Sequence, residues 1–529
     1  MKINCPIAQQ AEQAPDNIAV IAPGQTFTFS QFDMMVSRAV SLLEQKGIGR
    51  RTRVALVGRN SWEYIIILAA LWRIGAIAVP LNFRFPPTRI DEILKRLGIN
   101  YIIVHHDGSP SPGDHENFAT KTPRHQEFFY NKPLGVPWCL GALVAIFIAE
   151  ECVQYVQQDA LLSDRKRIDL NNHAAIILTS GSTGREKGVL LTYGALYYNA
   201  LGSNENIKLA PGDRWMLSLP LFHVGGLGVL FRSFMAGAAV VVPPENEKEA
   251  LEDSLITCRV THVSLVSTQL LRLINRLEEG IVTPGGFSHL KAVLLGGSGF
   301  PAALIQKALS LNLPIHTSYG LSEMASQVTT TPPGALGTSG AQAEKLFTSG
   351  KLLAHRDLFI DKNNEICVKG KTLFKGYVEG AEISRPLDNM GWFHTRDLGQ
   401  VDAEGYLTVL GRRDNMFISG GENIMPEEIE AVLNELPEVE RVVVVPVADE
   451  MYGFRPAAFL KLRESADTAA VTKDYLVRYL EGKLPRFKIP GFFYHWPEGL
   501  ADGSLKVKRS IFEKLATKAQ SHKATLRVL

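Results

Sequence analysis

The sequence has almost no excess of charge of either sign. Its 56 Lys and Arg residues against 54 Asp and Glu residues leave a formal charge of +2. A balance this close to neutral provides no basic surface for nucleic acid and no patch for an anionic membrane. We therefore expect neither nucleic acid nor a membrane surface among the partners.

Cysteine is also scarce, and so are long apolar runs. The five cysteines are never spaced as CxxC, which argues against a disulfide framework or a zinc site and favours a reducing cytoplasm. The N-terminal stretch MKINCPIAQQAEQAPDN lacks the apolar core of a signal peptide. The apolar run Val136–Ala149 has about 14 residues, whereas a membrane span needs about 20. It predicts a buried helix rather than an anchor.

The 529 residues are too many for one compact core, so the length predicts at least two domains. Residues 17–104 and 172–410 alternate short apolar runs with helical patterns, which is typical of a doubly wound α/β sheet. The strand-like runs are Ile18–Ile21, Arg53–Val57, Ala76–Val79, Ala174–Leu178, Ala238–Val242 and Ala292–Leu295. The polar stretch 106–135 predicts a surface loop, within an atypical insertion over 106–165.

A shorter unit follows Gly411. Its pattern predicts a helix over Pro426–Leu436, a strand over Arg441–Val447 and a helix near Thr472–Leu484, before a basic tail. We therefore predict an α/β fold with a large N-terminal domain, 1–411, of doubly wound sheets. The remaining residues, 412–529, form a small α+β C-terminal domain.

The densest local motif is TSGSTGREKG at residues 179–188, directly after the strand-like run Ala174–Leu178. Glycines let backbone N–H groups approach an anion closely, hydroxyl groups add donors, and Lys187 adds a positive charge. The loop is not a Walker A motif, because Glu186 replaces the glycine required before the lysine. A flexible Ser/Gly turn is the alternative, and we predict a phosphate-binding loop.

This loop and the motifs that follow it resemble the signatures of the adenylate-forming superfamily, which includes acyl- and aryl-CoA ligases, luciferases and adenylation domains of peptide synthetases. The later motifs, in order, are YGLSE at 319–323, GWFHTRD at 391–397, GRRD at 411–414 with SGGENI at 419–424, and KVKR at 506–509. Ser322, Arg396 and Leu505 depart from the usual Thr, Gly and Gly. The resemblance covers almost the whole chain apart from residues 106–165.

The resemblance implies that these motifs bind ATP and Mg²⁺. The phosphate loop would hold the β- and γ-phosphates, and Glu323 would ligate Mg²⁺, a hard cation that prefers oxygen ligands. Tyr319 would pack on adenine, while Asp397 and Arg412 would contact the ribose. A helix-start glutamate, a core aromatic ring and a surface ion pair are their respective alternatives. The predicted nucleotide- and CoA-binding residues are Thr179, Ser180, Gly181, Ser182, Thr183, Gly184, Lys187, Gly296, Gly297, Ser298, Tyr319, Gly320, Ser322, Asp397, Arg412, Gly420 and Gly421.

The end of the chain carries the predicted adenylation lysine. In the resembling enzymes a mobile ammonium group, here Lys506, bridges the acid and the α-phosphate as the new bond forms. A solvated lysine of the basic tail is the alternative. The resemblance also implies that Asp414 is the pivot of a mobile small domain, and that rotation brings Gly420 and Gly421 in to admit the thiol of CoA.

Two stretches bear on the acid that is activated. Leu217–Gly228 and Thr261–Leu273 resemble o-succinylbenzoate–CoA ligases of menaquinone biosynthesis more closely than fatty acyl ligases. A dicarboxylate on a benzene ring needs apolar walls with a few polar donors. The candidate donors are His223, Thr268, Gln269 and Ser298, and the predicted catalytic residues are Lys506, Glu323 and His223.

Three other functions compete with this prediction. A medium-chain or aromatic acyl-CoA ligase would share every nucleotide motif. A carrier-protein adenylation domain is disfavoured because no carrier segment follows within the chain, and a non-enzymatic ATP-binding protein would be expected to lack Lys506, Glu323 or Lys187. We expect a cytoplasmic ligase whose partners are a small carboxylic acid, ATP and CoA. The sequence leaves a homo-oligomer open.

Overall fold

The computed structural model describes residues 1–104, 165–179, 186–244, 250–280, 287–297, 300, 302–333, 344–419, 422–449, 452–481, 483–497 and 509–520. The predicted loop over 106–135, the predicted helix Val136–Ala149 and the rest of the insertion before residue 165 lie outside these ranges.

The strands are β1 (Lys2–Asn4), β2 (Ile18–Ala22), β3 (Gln25–Thr28), β4 (Arg53–Val57), β5 (Ile77–Leu81), β6 (Tyr101–Val104), β7 (Arg167–Asp169), β8 (His173–Thr179), β9 (Lys187–Thr192), β10 (Arg214–Met216), β11 (Ala239–Val241), β12 (His262–Leu265), β13 (Ala292–Leu295), β14 (Ile315–Leu321), β15 (Ser326–Thr330), β16 (Lys351–Leu352), β17 (Arg356–Ile360), β18 (Glu365–Gly370), β19 (Gly376–Glu379), β20 (Glu382–Ser384), β21 (Phe393–Val401), β22 (Leu407–Arg412), β23 (Phe417–Ser419), β24 (Glu422–Ile424), β25 (Val439–Asp449), β26 (Gly453–Leu462) and β27 (Phe492–His495).

The α-helices over the same ranges are α1 (Pro6–Gln13), α2 (Phe29–Gln45), α3 (Trp62–Ile74), α4 (Pro87–Arg96), α5 (Tyr193–Asn206), α6 (Val224–Ala236), α7 (Ala250–Thr257), α8 (Ser267–Glu278), α9 (Ala302–Ser310), α10 (Pro426–Leu433), α11 (Lys473–Glu481) and α12 (Arg509–Gln520). None of them is long and apolar enough to cross a bilayer.

Two large sheets build the N-terminal part, as the alternating pattern predicts. One has seven strands in the order β20-β19-β9-β8-β5-β4-β6, and the other has nine in the order β16-β15-β14-β13-β12-β10-β11-β2-β3. One continuous apolar core joins both sheets to α2, α3, α5 and α6. The opposite faces are covered by α4 on the first sheet and by α7, α8 and α9 on the second. Both sheets are therefore doubly wound.

Local sequence signals fix the ends of the buried helix α3. The Ser61 side chain accepts a hydrogen bond from the Tyr64 N–H and caps the first turn. Gly75 caps the C-terminus of the helix with a φ of +80°, which a glycine adopts without a steric penalty. Between these caps the residues are apolar on nearly every face, because the helix lies in the core shared by the two sheets.

A four-stranded antiparallel sheet, β17-β18-β21-β22, follows the second large sheet. The alternating pattern did not predict it. Beyond it, β25, β26 and β27 form a three-stranded sheet, with α10 and α11 packed on one face and α12 on the other. The C-terminal unit is therefore α+β, as predicted.

Candidate active site

The carboxyl ends of parallel strands meet at one edge of the nine-stranded sheet. Strands β10, β12, β13 and β14 are neighbouring and parallel, so the segments that follow them share this edge. Hydrogen bonds join these segments: Gln269 Nε2 donates to the Ser218 carbonyl at 3.2 Å, and Ser318 Oγ donates to the Leu295 carbonyl at 2.7 Å. Gly297 follows β13 with a φ of +89°. Several of the predicted nucleotide and acid residues therefore lie along one edge of this sheet.

Three predicted nucleotide residues meet in one hydrogen-bonded group. The Tyr319 hydroxyl donates to Asp397 Oδ2 at 2.6 Å, and Arg412 Nη1 donates to Asp397 Oδ1 at 2.9 Å. Burial, reinforced by the Asp397 charge, raises the pKa of Tyr319, so its phenol stays protonated at neutral pH. Burial alone would lower the pKa of Arg412, but the Asp397 and Asp414 carboxylates raise it. The group presents a carboxylate held by two fixed donors.

The backbone of the predicted nucleotide motif leaves no room for larger side chains. A Cβ atom on Gly320 would lie 2.2 Å from the Ser326 carbonyl oxygen, which explains the glycine at this position. Ser322 and Glu323 follow in a 3₁₀ turn that ends β14.

Glu323 and Lys187 approach each other through a residue that the motif analysis missed. The Tyr377 hydroxyl donates to Glu323 Oε1 at 2.7 Å, and the Lys187 ammonium lies 4.9 Å from the centroid of the same ring. Burial, and then the Glu323 carboxylate, raises the pKa of Tyr377. These contacts span 54 and 190 positions of the chain, so no local pattern could have identified Tyr377.

The two ends of the predicted phosphate loop lie opposite each other, because Thr179 pairs with Lys187 in the β8–β9 hairpin. The strands on either side of the predicted thiol loop pair in the same way, with Ser419 opposite Glu422. Nine predicted residues lie outside the described ranges and stay predictions: Ser180, Gly181, Ser182, Thr183, Gly184, Ser298, Gly420, Gly421 and Lys506.

Of the residues predicted for the acid pocket, His223 stands at the start of α6, and Thr268 and Gln269 stand in the first turn of α8. His223 is the N-cap residue of α6 and its ring packs against Phe222 at a centroid distance of 4.6 Å. The Gln269 side chain bonds to the backbone, accepting from Val266 N at 3.1 Å in addition to its bond to Ser218. Thr268 precedes it in the first turn of α8. Gln269 therefore holds two strand ends together with its amide group.

A buried arginine in α6 is the second residue that the motif analysis missed. Arg232 is 1% exposed, and it stacks 4.4 Å from the Trp215 ring centroid. Its Nη1 donates to Gln327 Oε1 at 3.0 Å, whereas its buried Nε has no hydrogen-bond partner over the described ranges. Burial, and the nearby Arg356, lower the pKa of Arg232 to about 9. In the described part of the chain no acidic side chain pairs with this cation.

Arg356 is also buried, but its donors are satisfied. Its Nε donates to the Gln327 carbonyl at 2.9 Å, its Nη2 donates to the Asn199 carbonyl at 3.2 Å, and its Nη1 donates to the Ala354 carbonyl. Burial lowers the pKa of Arg356 to about 9 as well. Arg356 therefore fastens backbone segments, whereas Arg232 keeps donor capacity for an anion.

The predicted pivot Asp414 lies between two guanidinium groups. Arg396 Nη1 donates to Asp414 Oδ1 at 3.1 Å, and Arg412 Nη2 donates to Asp414 Oδ2 at 3.2 Å. Arg396 has a φ of +64°, in the left-handed region. This conformation explains why the resembling family usually has glycine here.

Asp361, Cys367 and His394 place one donor atom each within 4.8 Å of one another. Cys367 Sγ lies 3.3 Å from His394 Nδ1, but burial raises the pKa of the Cys367 thiol to about 12. Asp361 Oδ1 already accepts hydrogen bonds from the Asn363 and Glu365 N–H groups at 2.8 Å. The arrangement is that of a structural hydrogen-bonded cluster, with the thiol protonated.

The chain is similar to known proteins along most of its length. The family described as AMP-binding enzyme matches residues 7–378, and the AMP-binding enzyme C-terminal domain matches residues 428–500. A 2-succinylbenzoate–CoA ligase of Bacillus mycoides is 33% identical, over 96% of this chain and 98% of its own. Two solved structures of o-succinylbenzoate CoA synthetase (MenE) from Bacillus subtilis are each 28% identical. The one with the acyl-adenylate intermediate OSB-AMP has a TM-score of 0.80 over 100% of both chains. The one with ATP and magnesium has a TM-score of 0.77 over 94% of this chain and 96% of the other.

Proposed function

The chain belongs to the AMP-binding enzyme family, and on that premise we propose that it is an AMP-forming ligase that converts o-succinylbenzoate to o-succinylbenzoyl-CoA. A carboxylate oxygen of the acid attacks the α-phosphorus of ATP, and the bond to pyrophosphate breaks. The thiol of CoA then attacks the acyl carbonyl and AMP leaves. This reaction belongs to menaquinone biosynthesis.

The buried guanidinium of Arg232, which pairs with no acidic side chain among the described residues, carries the proposal that the acid is a dicarboxylate. A buried cation without an acidic partner is costly, and a substrate carboxylate would provide that partner. Arg232 lies on α6, nine residues after its N-cap His223, and its ring contact is with Trp215 of β10, the strand that leads to Ser218. A fatty-acid tunnel would have no need of a buried charge here.

The nucleotide half of the reaction uses the groups around Asp397 and Glu323. Asp397, held by Tyr319 and Arg412, would accept from the ribose hydroxyl groups. Glu323 suits Mg²⁺, because it offers carboxylate oxygen and Tyr377 occupies only Oε1. When bound, Mg²⁺ offsets the negative charge of the phosphates. Lys187 would add a second positive charge beside them.

Several further assignments remain part of the proposal. Lys506 would serve adenylation, Gly420 and Gly421 would line the path of the thiol, and Asp414 would be the pivot between domains 1–411 and 412–529. A cytoplasmic location is also proposed, because of the scattered cysteines, and the oligomeric state stays open.

Two measurements test the proposed function: the identity of the nucleotide product tests the chemistry, and the preference among acids tests the substrate. Release of pyrophosphate and formation of AMP should be measured with o-succinylbenzoate, benzoate, hexanoate and decanoate, with and without CoA. Leaving buried donors unpaired costs about 2–4 kcal/mol, so o-succinylbenzoate should exceed benzoate by roughly 30- to 1,000-fold in kcat/KM. ADP as the product would contradict the adenylation chemistry. A preference for decanoate would instead indicate a medium-chain acyl-CoA ligase.

A further inference from the structure

We propose that Tyr377 is a positioning residue that holds Glu323 and Lys187 apart and aligned for the metal-bound phosphates of ATP. This inference rests on the proposed adenylation function and extends it to a residue outside the recognised motifs. It concerns the separation of the two charged side chains, Lys187 and Glu323, before ATP binds.

The geometry assigns a different part of the tyrosine to each charged group. The hydroxyl group binds the carboxylate of Glu323 at 2.7 Å, and the ring face binds the ammonium of Lys187 at 4.9 Å. A ring face attracts a cation without neutralising its charge. The hydroxyl group fixes one carboxylate oxygen and leaves the other for a cation.

Tyr377 can act as a spacer because its strand is tied to both partners. Strand β19 pairs with β9, with Tyr377 opposite Val189, two residues after Lys187. Just before the strand, the Phe374 N–H donates to the carbonyl of Glu323 at 2.8 Å. The Phe374 ring then packs edge-on against the Tyr377 ring at 5.0 Å. The segment therefore links the seven-stranded sheet, which carries Lys187, to the turn that carries Glu323.

Without Tyr377 between them, Lys187 and Glu323 could form a direct ion pair. Lys187 and Glu323 do not pair with each other in the described part of the chain, although both contact one ring. If the tyrosine were absent, the ammonium and carboxylate could close on each other and neutralise both charges. ATP and its metal would then have to break that pair before binding.

Two substitutions separate the two contacts. Tyr377→Phe keeps the ring face and removes only the hydrogen bond to Glu323, whereas Tyr377→Leu removes both contacts. ATP binding should be measured by calorimetry as a function of Mg²⁺ concentration, without the acid substrate. Tyr377→Phe should need about 5-fold more Mg²⁺ for half-maximal ATP binding, and excess Mg²⁺ should restore the affinity. Tyr377→Leu should keep an affinity loss of about 10-fold or more at saturating Mg²⁺.

Tyr406→Phe is the matched control. Its ring also carries lysine ammonium groups, from Lys345 at 4.7 Å and Lys351 at 4.6 Å, but neither lysine belongs to the proposed site. This variant should bind ATP with the wild-type dependence on Mg²⁺. The melting temperature of all three variants shows whether the fold is intact.

Each other outcome counts against the inference. An unchanged Mg²⁺ dependence in Tyr377→Phe would overturn it, and so would an equal loss in both variants that follows a lower melting temperature. Because the acid is absent from the assay, a wrong acid assignment leaves the result unaffected. Failure of the wild-type protein to bind ATP would overturn both the proposed function and this inference.

Discussion

Replacing Arg232 with methionine should stabilise the unliganded protein and remove its preference for a dicarboxylic acid. The change deletes a buried charge that pairs with no acidic side chain in the described ranges, and it keeps an apolar side chain of similar length against Trp215. A buried cation that binds an anionic substrate is expected to lower the stability of the protein without substrate, because its charge is then not neutralised.

The size of the effect follows from the environment of the guanidinium. Burial lowers the pKa of Arg232 to about 9, which still leaves it charged at neutral pH. At about 1.4 kcal/mol for each tenfold change in proton affinity, the buried charge costs on the order of 4–5 kcal/mol. Loss of the partner of Gln327 Oε1 returns about 1–3 kcal/mol of that. Arg232→Met should therefore raise the free energy of unfolding by about 2 kcal/mol.

The matched control is Arg356→Met. Arg356 has the same burial and the same direction of pKa change, but it donates to three backbone carbonyl groups. Removing it deletes three hydrogen bonds to buried backbone, although Asn199 Nδ2 still donates to the Gln327 carbonyl, so this variant should lose stability and should slow every acid alike.

Urea unfolding measures the stability of each variant, and kcat/KM for a set of acids measures its substrate preference. For Arg232→Met, kcat/KM for o-succinylbenzoate should fall by roughly 30- to 1,000-fold while benzoate and hexanoate change only a few-fold. If instead the variant unfolds more easily and loses activity equally on all acids, Arg232 is a structural residue and the reasoning is refuted.

Three further outcomes are expected. Lys506→Ala should lose acyl-adenylate formation by roughly 100-fold but keep thioester formation from supplied acyl-adenylate, and equal loss in both steps would contradict a role confined to adenylation. Arg509→Met should destabilise the protein in urea unfolding by about 3–5 kcal/mol, because it removes the cation that pairs with the mostly buried carboxylate of Glu430, which Arg509 Nη2 contacts at 2.7 Å. Burial lowers the pKa of His262 to about 4, so the unfolded chain binds more protons than the folded protein below about pH 6.5. Stability should fall by up to about 3 kcal/mol as the pH drops from about 6.5 to 4, and His262→Gln should flatten that part of the profile in urea unfolding at several pH values.

Local patterns predicted the strands of the large sheets well, because a short apolar run with turn residues on either side is typical of a buried strand. The runs Arg53–Val57 and Ala292–Leu295 match the observed strands at both ends. The predicted helix Pro426–Leu436 ends earlier, at Leu433, because the last residues turn toward β25.

Local patterns could not predict contacts between segments that are distant in the sequence. Tyr319 and Asp397 lie 78 positions apart, and only the resemblance placed them in one site. Tyr377 belongs to no motif that was recognised, so nothing in its neighbourhood pointed to Glu323. Arg232 did leave a signal, as the one charged residue in the apolar helix VGGLGVLFRSFMA. Whether such a charge reaches solvent or is buried depends on tertiary packing.

Arg412 donates to Asp397 with one nitrogen and to Asp414 with another, so the proposed ribose site and the proposed pivot share a single cation. A ligand that draws on the charge of Asp397 changes how firmly Arg412 holds Asp414. By thermodynamic reciprocity, a rotation that moves Asp414 must change the affinity at Asp397 by the same factor. AMP would then be held most tightly in one orientation of the small domain, and completing the rotation would help to release it.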